Sequence, residues 1–380
     1  MKTLPKVLIV FGTRPEAIKM APVIGALKQC TSLSVRVCVT AQHRGMLDQV
    51  LGLFGIRPDH DLDLMVPGQT LSGLTARALE GLTGVIRQEQ PGLVLVHGDT
   101  TTSAVAAMAA FYERLAVGHV EAGLRTHQIW SPWPEEFNRR VVGLVTALHF
   151  APTEQARRNL LDERVPQDRI WVTGNTVIDA LMQASHHIDT QPGLIDQLGE
   201  RFPFLDPSRR MLLVTGHRRE NFGDGIEAIC SGLRRLADRG DVQVVYPVHM
   251  NPNIKGPVET LLGEHPAIHL LPPQDYQSFV YLMKRAYLLL TDSGGIQEEA
   301  PALGKPVLVM RDTTERPEAL EAGTARLVGT DANRLAAEAS ALLDNPDHYR
   351  AMATSRNPFG DGTAARQIAE AVARHLEAAQ

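Results

Sequence analysis

The 380-residue sequence has three cysteines, Cys30, Cys38 and Cys230, which form neither a CxxC pair nor a metal-ligand spacing. This argues against a disulfide framework and for a reducing compartment. No apolar run approaches the roughly 18 residues that a membrane-spanning helix needs. The run at residues 7–11 is five residues long and leads into a charged loop, so it reads as a buried strand and not as a leader. A soluble, cytoplasmic protein is the expectation. A basic excess is missing too. Lys and Arg number 38 against 43 Asp and Glu, a net charge of −5, which speaks against a dedicated nucleic-acid binder. HExxH, GxSxG, GxGxxG and GxxxxGK[ST] are all absent. Metal-assisted hydrolysis and acyl transfer are therefore poor candidates, and no metal site is expected.

What is present is a rhythm. Short apolar runs at 6–11, 35–40, 93–97, 117–120, 148–151 and 170–173 read as strands, and a second series follows at 211–215, 242–246, 268–271, 287–291 and 306–310. Helical patterns at 17–29, 71–90, 101–113, 153–162, 223–239 and 296–303 fill gaps between them. Such alternation produces parallel sheets covered by helices on both faces. The series restarts after the Pro- and charge-containing stretch 201–210. The expectation is an α/β chain of two Rossmann-like doubly wound domains facing a cleft. Residues 1–173 plus about 361–380 form the first domain and 174–360 the second, with a hinge near Gly174–Asn175. The Ala-rich helix at 362–379 crosses back to the first domain.

Polar motifs follow the strands, where such folds bind ligands. Gly12-Thr13-Arg14-Pro15-Glu16 opens a helix, with Arg14 and Lys19 as cations near its start. Asp99 follows the third strand, either as a cap for the next helix or as a carboxylate at a site. Glu121 follows the fourth, either paired with Arg125 or functional, and Glu135 opens a helix whose dipole it suits. Three carboxylates at one end of one sheet favour a site, in which burial and mutual repulsion are expected to raise a pKa. In the second half, His217 in Gly216-His217-Arg218-Arg219 is an acid/base candidate, and His249 follows another strand. The most specific stretch is Asp292-Ser293-Gly294-Gly295: strand, Ser-Gly-Gly, then helix. It offers backbone N–H groups to a nucleotide phosphate, with Glu299 a turn further in for a ribose diol and Arg316 as a further phosphate ligand.

Taken together, GTRPEAIKMAPV (12–23), AQHRGMLDQVL (41–51), HGDTTTS (97–103), HVEAGLRT (119–126), PWPEEFNRR (132–140), GNTVIDAL (174–181), TGHRREN (215–221), HMNP (249–252) and the stretch 292–319 closely resemble the non-hydrolysing UDP-N-acetylglucosamine 2-epimerases. The likeness runs in order over almost the whole chain. It implies a GT-B glycosyltransferase-like fold and interconversion of UDP-N-acetylglucosamine and UDP-N-acetylmannosamine, a precursor of cell-surface polysaccharide. The route it implies is elimination of UDP to a bound 2-acetamidoglucal, followed by re-addition.

By motif position the resemblance makes Asp99, Glu121, Glu135 and His217 catalytic. It assigns Arg14, Lys19, Ser293, Gly294, Gly295, Glu299 and Arg316 to the UDP-sugar. It implies no cofactor and a homodimer. In some members a second substrate molecule activates the enzyme, and Gln42, His43, Arg218 and His249 match that site. Gly45 and Gly68 depart from the longer residues that members carry there, and weigh against activation. Open alternatives are an epimerase of a modified UDP-sugar, a hydrolysing epimerase, a GT-B glycosyltransferase and a silent nucleotide-sugar sensor. The 5% aromatic content suits a ligand held mainly by phosphate, ribose and hydroxyl contacts.

Overall fold

The computed structural model describes residues 4–41, 44–66 and 68–378, with the backbone alone at Arg44 and Met46. The chain forms two compact units, one up to Ala180 and again from Phe359, the other Leu181–Pro358. The first unit contains β1 (Lys6–Phe11), β2 (Ser34–Val39), β3 (His60–Asp61), β4 (Leu93–His97), β5 (Ala116–Val120), β6 (Leu148–Ala151) and β7 (Ile170–Val172). They pair in parallel in the order β3-β2-β1-β4-β5-β6-β7. The second unit contains β8 (Arg210–Thr215), β9 (Val242–Pro247), β10 (Ile268–Leu271), β11 (Leu288–Thr291), β12 (Val307–Val309) and β13 (Ala325–Leu327). Their order is β10-β9-β8-β11-β12-β13, again all parallel.

Every strand expected from the apolar runs forms. Their continuous apolar character reflects burial on both faces: all five residues of β4 are buried. The two strands not anticipated, β3 and β13, have two and three residues and carry polar side chains, too little for an apolar signal. The last helix, Ala364–Ala378, packs on helix Arg14–Gln29 as expected, so the first unit is built from both ends of the chain. Gly174, at φ +88°, lies against the backbone of Phe359 and Gly360, where a Cβ would come within 3.1 Å of each. Among the described residues no helix is long and apolar enough to cross a membrane.

Each sheet reverses its strand order once, between β1 and β4 and between β8 and β11. At such a switch the connections leave to opposite faces and open a crevice at the carboxyl ends of the strands. Local sequence shapes the first crevice. Gly12 passes so close to Thr40 and Thr102 that a Cβ would sit 2.2 and 2.5 Å from their hydroxyls. Thr13 and Glu16 form a capping box at the next helix. Buried Glu16 also accepts the Thr100 hydroxyl at 2.7 Å and the Ser103 hydroxyl at 3.0 Å, tying the β1 loop to the β4 loop.

Two imidazoles lie beneath this loop system. His119 donates through Nε2 to the Gly98 carbonyl at 2.7 Å, and Nδ1 of both His119 and His149 is buried without a partner. A second ring proton would have no acceptor, and burial pushes His119 down to about 3 and His149 down to about 4. In the unfolded chain each titrates near about 6.5. The unfolded state therefore binds more protons as pH falls below that value, and stability drops progressively down towards the folded values. The urea midpoint should fall on going from about pH 7 to about pH 5, and less steeply for His149→Phe. A flat profile would show that these rings are not held neutral.

Candidate active site

In the first unit the centre of the arrangement is Glu121. It follows β5 with φ +63°, a left-handed backbone that costs a non-glycine residue about 1–3 kcal/mol. Three donors from separate elements converge on one of its oxygens, Oε2. Lys19 Nζ of helix Arg14–Gln29 makes an ion pair there, His97 Nε2 at the end of β4 lies at 3.1 Å, and Asn175 Nδ2 lies at 3.4 Å. Oε1 makes no hydrogen bond to any described residue. Burial by itself would raise the Glu121 carboxyl, but Lys19 and His97 outweigh it and hold it well below the usual range. The expectation that repulsion raises a pKa fails for this carboxylate because the neighbours that reach it are donors. The alternative pairing with Arg125 also fails, since Arg125 makes a two-pronged pair with Glu163 at 2.7 and 2.8 Å.

Asp99 does not cap the following helix; Thr100 does, accepting the Ser103 N–H at 3.1 Å. The Asp99 carboxylate is held by Arg139 at 2.8–2.9 Å, and its carbonyl accepts from Asn138 at 2.8 Å. Both partners lie on helix Glu135–Val145, which docks that helix at the end of β4. Of the two glutamates that open the helix, Glu136 is the structural one. It is fully buried and accepts the N–H groups of Thr126 at 3.1 Å and His127 at 3.2 Å. Glu135 Oε2 is buried without a hydrogen-bond partner. Asp99 and Glu121 thus follow the neighbouring strands β4 and β5, Glu135 opens the helix that Asp99 docks, and no two of the three are hydrogen-bonded to each other.

In the second unit β8 and β11 end side by side, with the Thr215 and Thr291 hydroxyls 2.6 Å apart. Asp292, fully buried, accepts the backbone N–H groups of His217 and Arg218, both at 2.8 Å, and Asn221 Nδ2 at 3.3 Å. It shapes the Gly216–Asn221 loop, a role the motif alone did not reveal. His217 Nδ1 lies 3.3 Å from Asp292 Oδ1, and its ring stacks on that of His249 with centroids 5.9 Å apart. Burial, with Arg218, His249 and Arg311 adding to it, keeps His217 below its ordinary pKa despite Asp292. His217 and His249, assigned to different roles from the sequence, are neighbours here. Asp292→Ala leaves these N–H groups without an acceptor, at about 1–3 kcal/mol for each buried one. Urea denaturation should show a loss of about 3 kcal/mol, with a smaller loss for Asp292→Asn, which keeps an acceptor oxygen.

Ser293 is the N-cap of helix Gly294–Ala302 but makes no side-chain cap. The first-turn N–H groups and the positive end of the helix dipole are left for an anion. Arg316 lies beside them: a Cβ on Gly294 would sit 3.7 Å from its guanidinium. Glu298, 2% exposed and not singled out from the sequence, pairs with Arg316 Nε and holds it there. Glu299 is buried at 8% exposure, Lys19 is committed to Glu121, and Arg14 is partly buried in the first turn of its helix. A cavity of about 220 Å³ adjoins Ser293, lined by Gly216, His217, Pro247, His249, Gln274 and Phe279 among others. Arg218 lies 4.0 Å from Glu315. Gln42 and His43 lie outside the described residues.

Two units, each with a site at its topological switch, one acidic and one shaped for an anion, match a nucleotide-sugar enzyme. A family model described as UDP-N-acetylglucosamine 2-epimerase matches residues 25–373. The chain belongs to the UDP-N-acetylglucosamine 2-epimerase family. The UDP-N-acetylglucosamine 2-epimerase of Yersinia pestis is 58% identical over 371 residues, spanning 97% of this chain and 99% of its own. Among solved structures, the UDP-GlcNAc 2-epimerase from Neisseria meningitidis bound to UDP-GlcNAc is similar at a TM-score of 0.90 and 49% identity, covering 97% of this chain and 100% of that one. The enzyme from Methanocaldococcus jannaschii in complex with UDP-GlcNAc and UDP is similar at 0.79 and 30% identity, covering 97% and 99%. The fold of these epimerases is GT-B-like, and the α/β expectation of paired parallel sheets holds.

Proposed function

We propose that the protein interconverts UDP-N-acetylglucosamine and UDP-N-acetylmannosamine without net hydrolysis. Inversion at C2 cannot start from direct deprotonation, because no carbonyl adjoins that carbon to stabilise a carbanion. Elimination solves this. The C2–H electrons form the C1=C2 bond of a bound 2-acetamidoglucal while the C1–O bond breaks towards UDP. The C2 proton passes to a carboxylate. Re-addition of UDP with a proton delivered to the opposite face of C2 completes the inversion.

The observation that carries this reading is Glu121, with Oε2 anchored by three donors and Oε1 open. The donors keep this carboxylate ionised and oriented with one oxygen open to take a proton, and by lowering its pKa they also make it the weaker base. Asp99 and Glu135 complete the acid/base set. The three share the two faces of C2 as one titrating group and are not assigned singly. The uncapped start of helix Gly294–Ala302 with Arg316 stabilises the charge that grows on the departing diphosphate. Lys19 and Arg14 add positive charge, Glu299 binds the ribose, and His217 completes the set as an acid/base group. The 220 Å³ cavity beside Ser293 is sized for part of the nucleotide.

A homodimer is part of the proposal. Helices Thr101–Tyr112 and Glu135–Val145 pack together, and at the same end of both they expose Phe111, Tyr112 and Leu144, at 57, 61 and 86%. Apolar groups gathered in this way mark an association surface.

Phosphorus NMR of purified protein with UDP-N-acetylglucosamine tests the non-hydrolysing claim. UDP-N-acetylmannosamine should accumulate to an equilibrium with no build-up of free UDP. Stoichiometric UDP with free N-acetylmannosamine would overturn it. No reaction without an acceptor would point to a transferase.

A further inference from the structure

We propose that the second unit carries a separate anion site at the amino-terminal end of its sheet, which binds a small phosphate-bearing anion through Arg209, Arg210, Arg285 and Lys305. A cavity of about 280 Å³ opens where β8 and β9 begin and where the chain enters β11 and β12. In a parallel sheet that end is opposite the one carrying His217, Asp292 and Ser293, so the cavity is distinct from the nucleotide site.

Its charge is unbalanced. The lining holds four cations and one acid, Asp206. That carboxylate is already engaged, accepting the Ser208 N–H at 2.9 Å and hydroxyl at 2.6 Å, with Arg209 at 3.4 Å. Arg210 is held by Asp241 and the Leu343 carbonyl. The side chains of Arg285 and Lys305 make no hydrogen bond or ion pair with any described residue. For exposed Arg285 that is ordinary. Lys305 is partly buried, and burial pulls its ammonium pKa down. A desolvated cation without a counter-charge carries a free-energy penalty that a bound anion removes.

The cations are also preorganised. Gln243, 3% exposed, fixes the rim loop by accepting the Asp206 N–H at 3.0 Å and donating to the Asp206 carbonyl at 2.7 Å and the Arg209 carbonyl at 3.2 Å. The Arg210 guanidinium lies 5.4 Å from the Tyr287 ring centre, and Tyr287 packs on Tyr349 with centroids 4.2 Å apart. Guanidinium forks and an ammonium around a compact space match phosphate oxygens. The volume, just below the usual range for small-molecule sites, suits a compact anion of about pyrophosphate size.

Calorimetric titration of the full chain with pyrophosphate, with and without saturating UDP, tests this against sodium chloride of matched ionic strength. Binding should persist with UDP present. It should weaken about tenfold or more, equal to about 1.4 kcal/mol, in the Arg285→Ala/Lys305→Gln double variant, whose turnover stays unchanged. Complete displacement by UDP would place the anion at the nucleotide site and overturn the proposal. So would a heat no larger than that of the salt control, or equal affinity in the double variant. Should UDP itself fail to bind, the nucleotide reading falls, and the comparison of variants still decides this one.

Discussion

Glu121→Gln should lower turnover by about 10²–10⁴-fold, the range attached to a positioned proton-transfer group, with UDP affinity nearly unchanged. The substitution preserves shape and keeps an oxygen able to accept from Lys19, His97 and Asn175. What it removes is the negative charge and the capacity of the second oxygen to take a proton. Of the proposed UDP ligands, Ser293, Gly294, Gly295, Glu299 and Arg316 belong to the other unit and only Arg14 and Lys19 to this one, so UDP binding by calorimetry serves as an internal control. Turnover within about fivefold of the parent would remove Glu121 from the proton path, since a lost acid/base group costs at least about 10²-fold.

Arg316→Ala should have two separable consequences. It deletes the cation beside Gly294, weakening UDP by about tenfold to a hundredfold, as expected for a charge-assisted contact worth about 1.5–3 kcal/mol. It also removes the Arg316 ion pair from buried Glu298, and breaking a buried pair from one side costs up to about 3–5 kcal/mol of stability. The double variant Arg316→Met/Glu298→Met should recover much of that stability and none of the affinity. Calorimetry and urea denaturation measure the two effects on the same samples. If affinity returned together with stability, Arg316 would be a structural residue and not a phosphate ligand.

These predictions depend on partners that one-dimensional reading does not supply. Apolar runs such as Leu93–His97 were legible because burial on both faces leaves a continuous signal. The Gly294–Gly295 turn was legible because paired glycines after a strand have few other uses. The charge state of Glu121 was not legible, because Lys19 lies 102 positions away and reaches it only once helix Arg14–Gln29 docks beside β5. Asp99 raises the same difficulty at shorter range, with Arg139 40 positions on. Asp292 stands within a legible motif, yet its role is to accept backbone N–H groups 74 and 75 positions earlier, and those donors have no side-chain signature. Glu298 carries no sequence signal that separates it from its neighbour Glu299. One step along a helix turns a side chain by about 100°, which decides whether it meets Arg316.

In the proposed reaction C2 exchanges its proton with protein carboxylates through a glucal intermediate. The most direct test is proton NMR of UDP-N-acetylglucosamine incubated with the enzyme in deuterated water. Deuterium should enter at C2 of both UDP-N-acetylglucosamine and UDP-N-acetylmannosamine as they equilibrate, with no free sugar formed. Epimerisation that kept the original proton at C2 throughout would contradict the account.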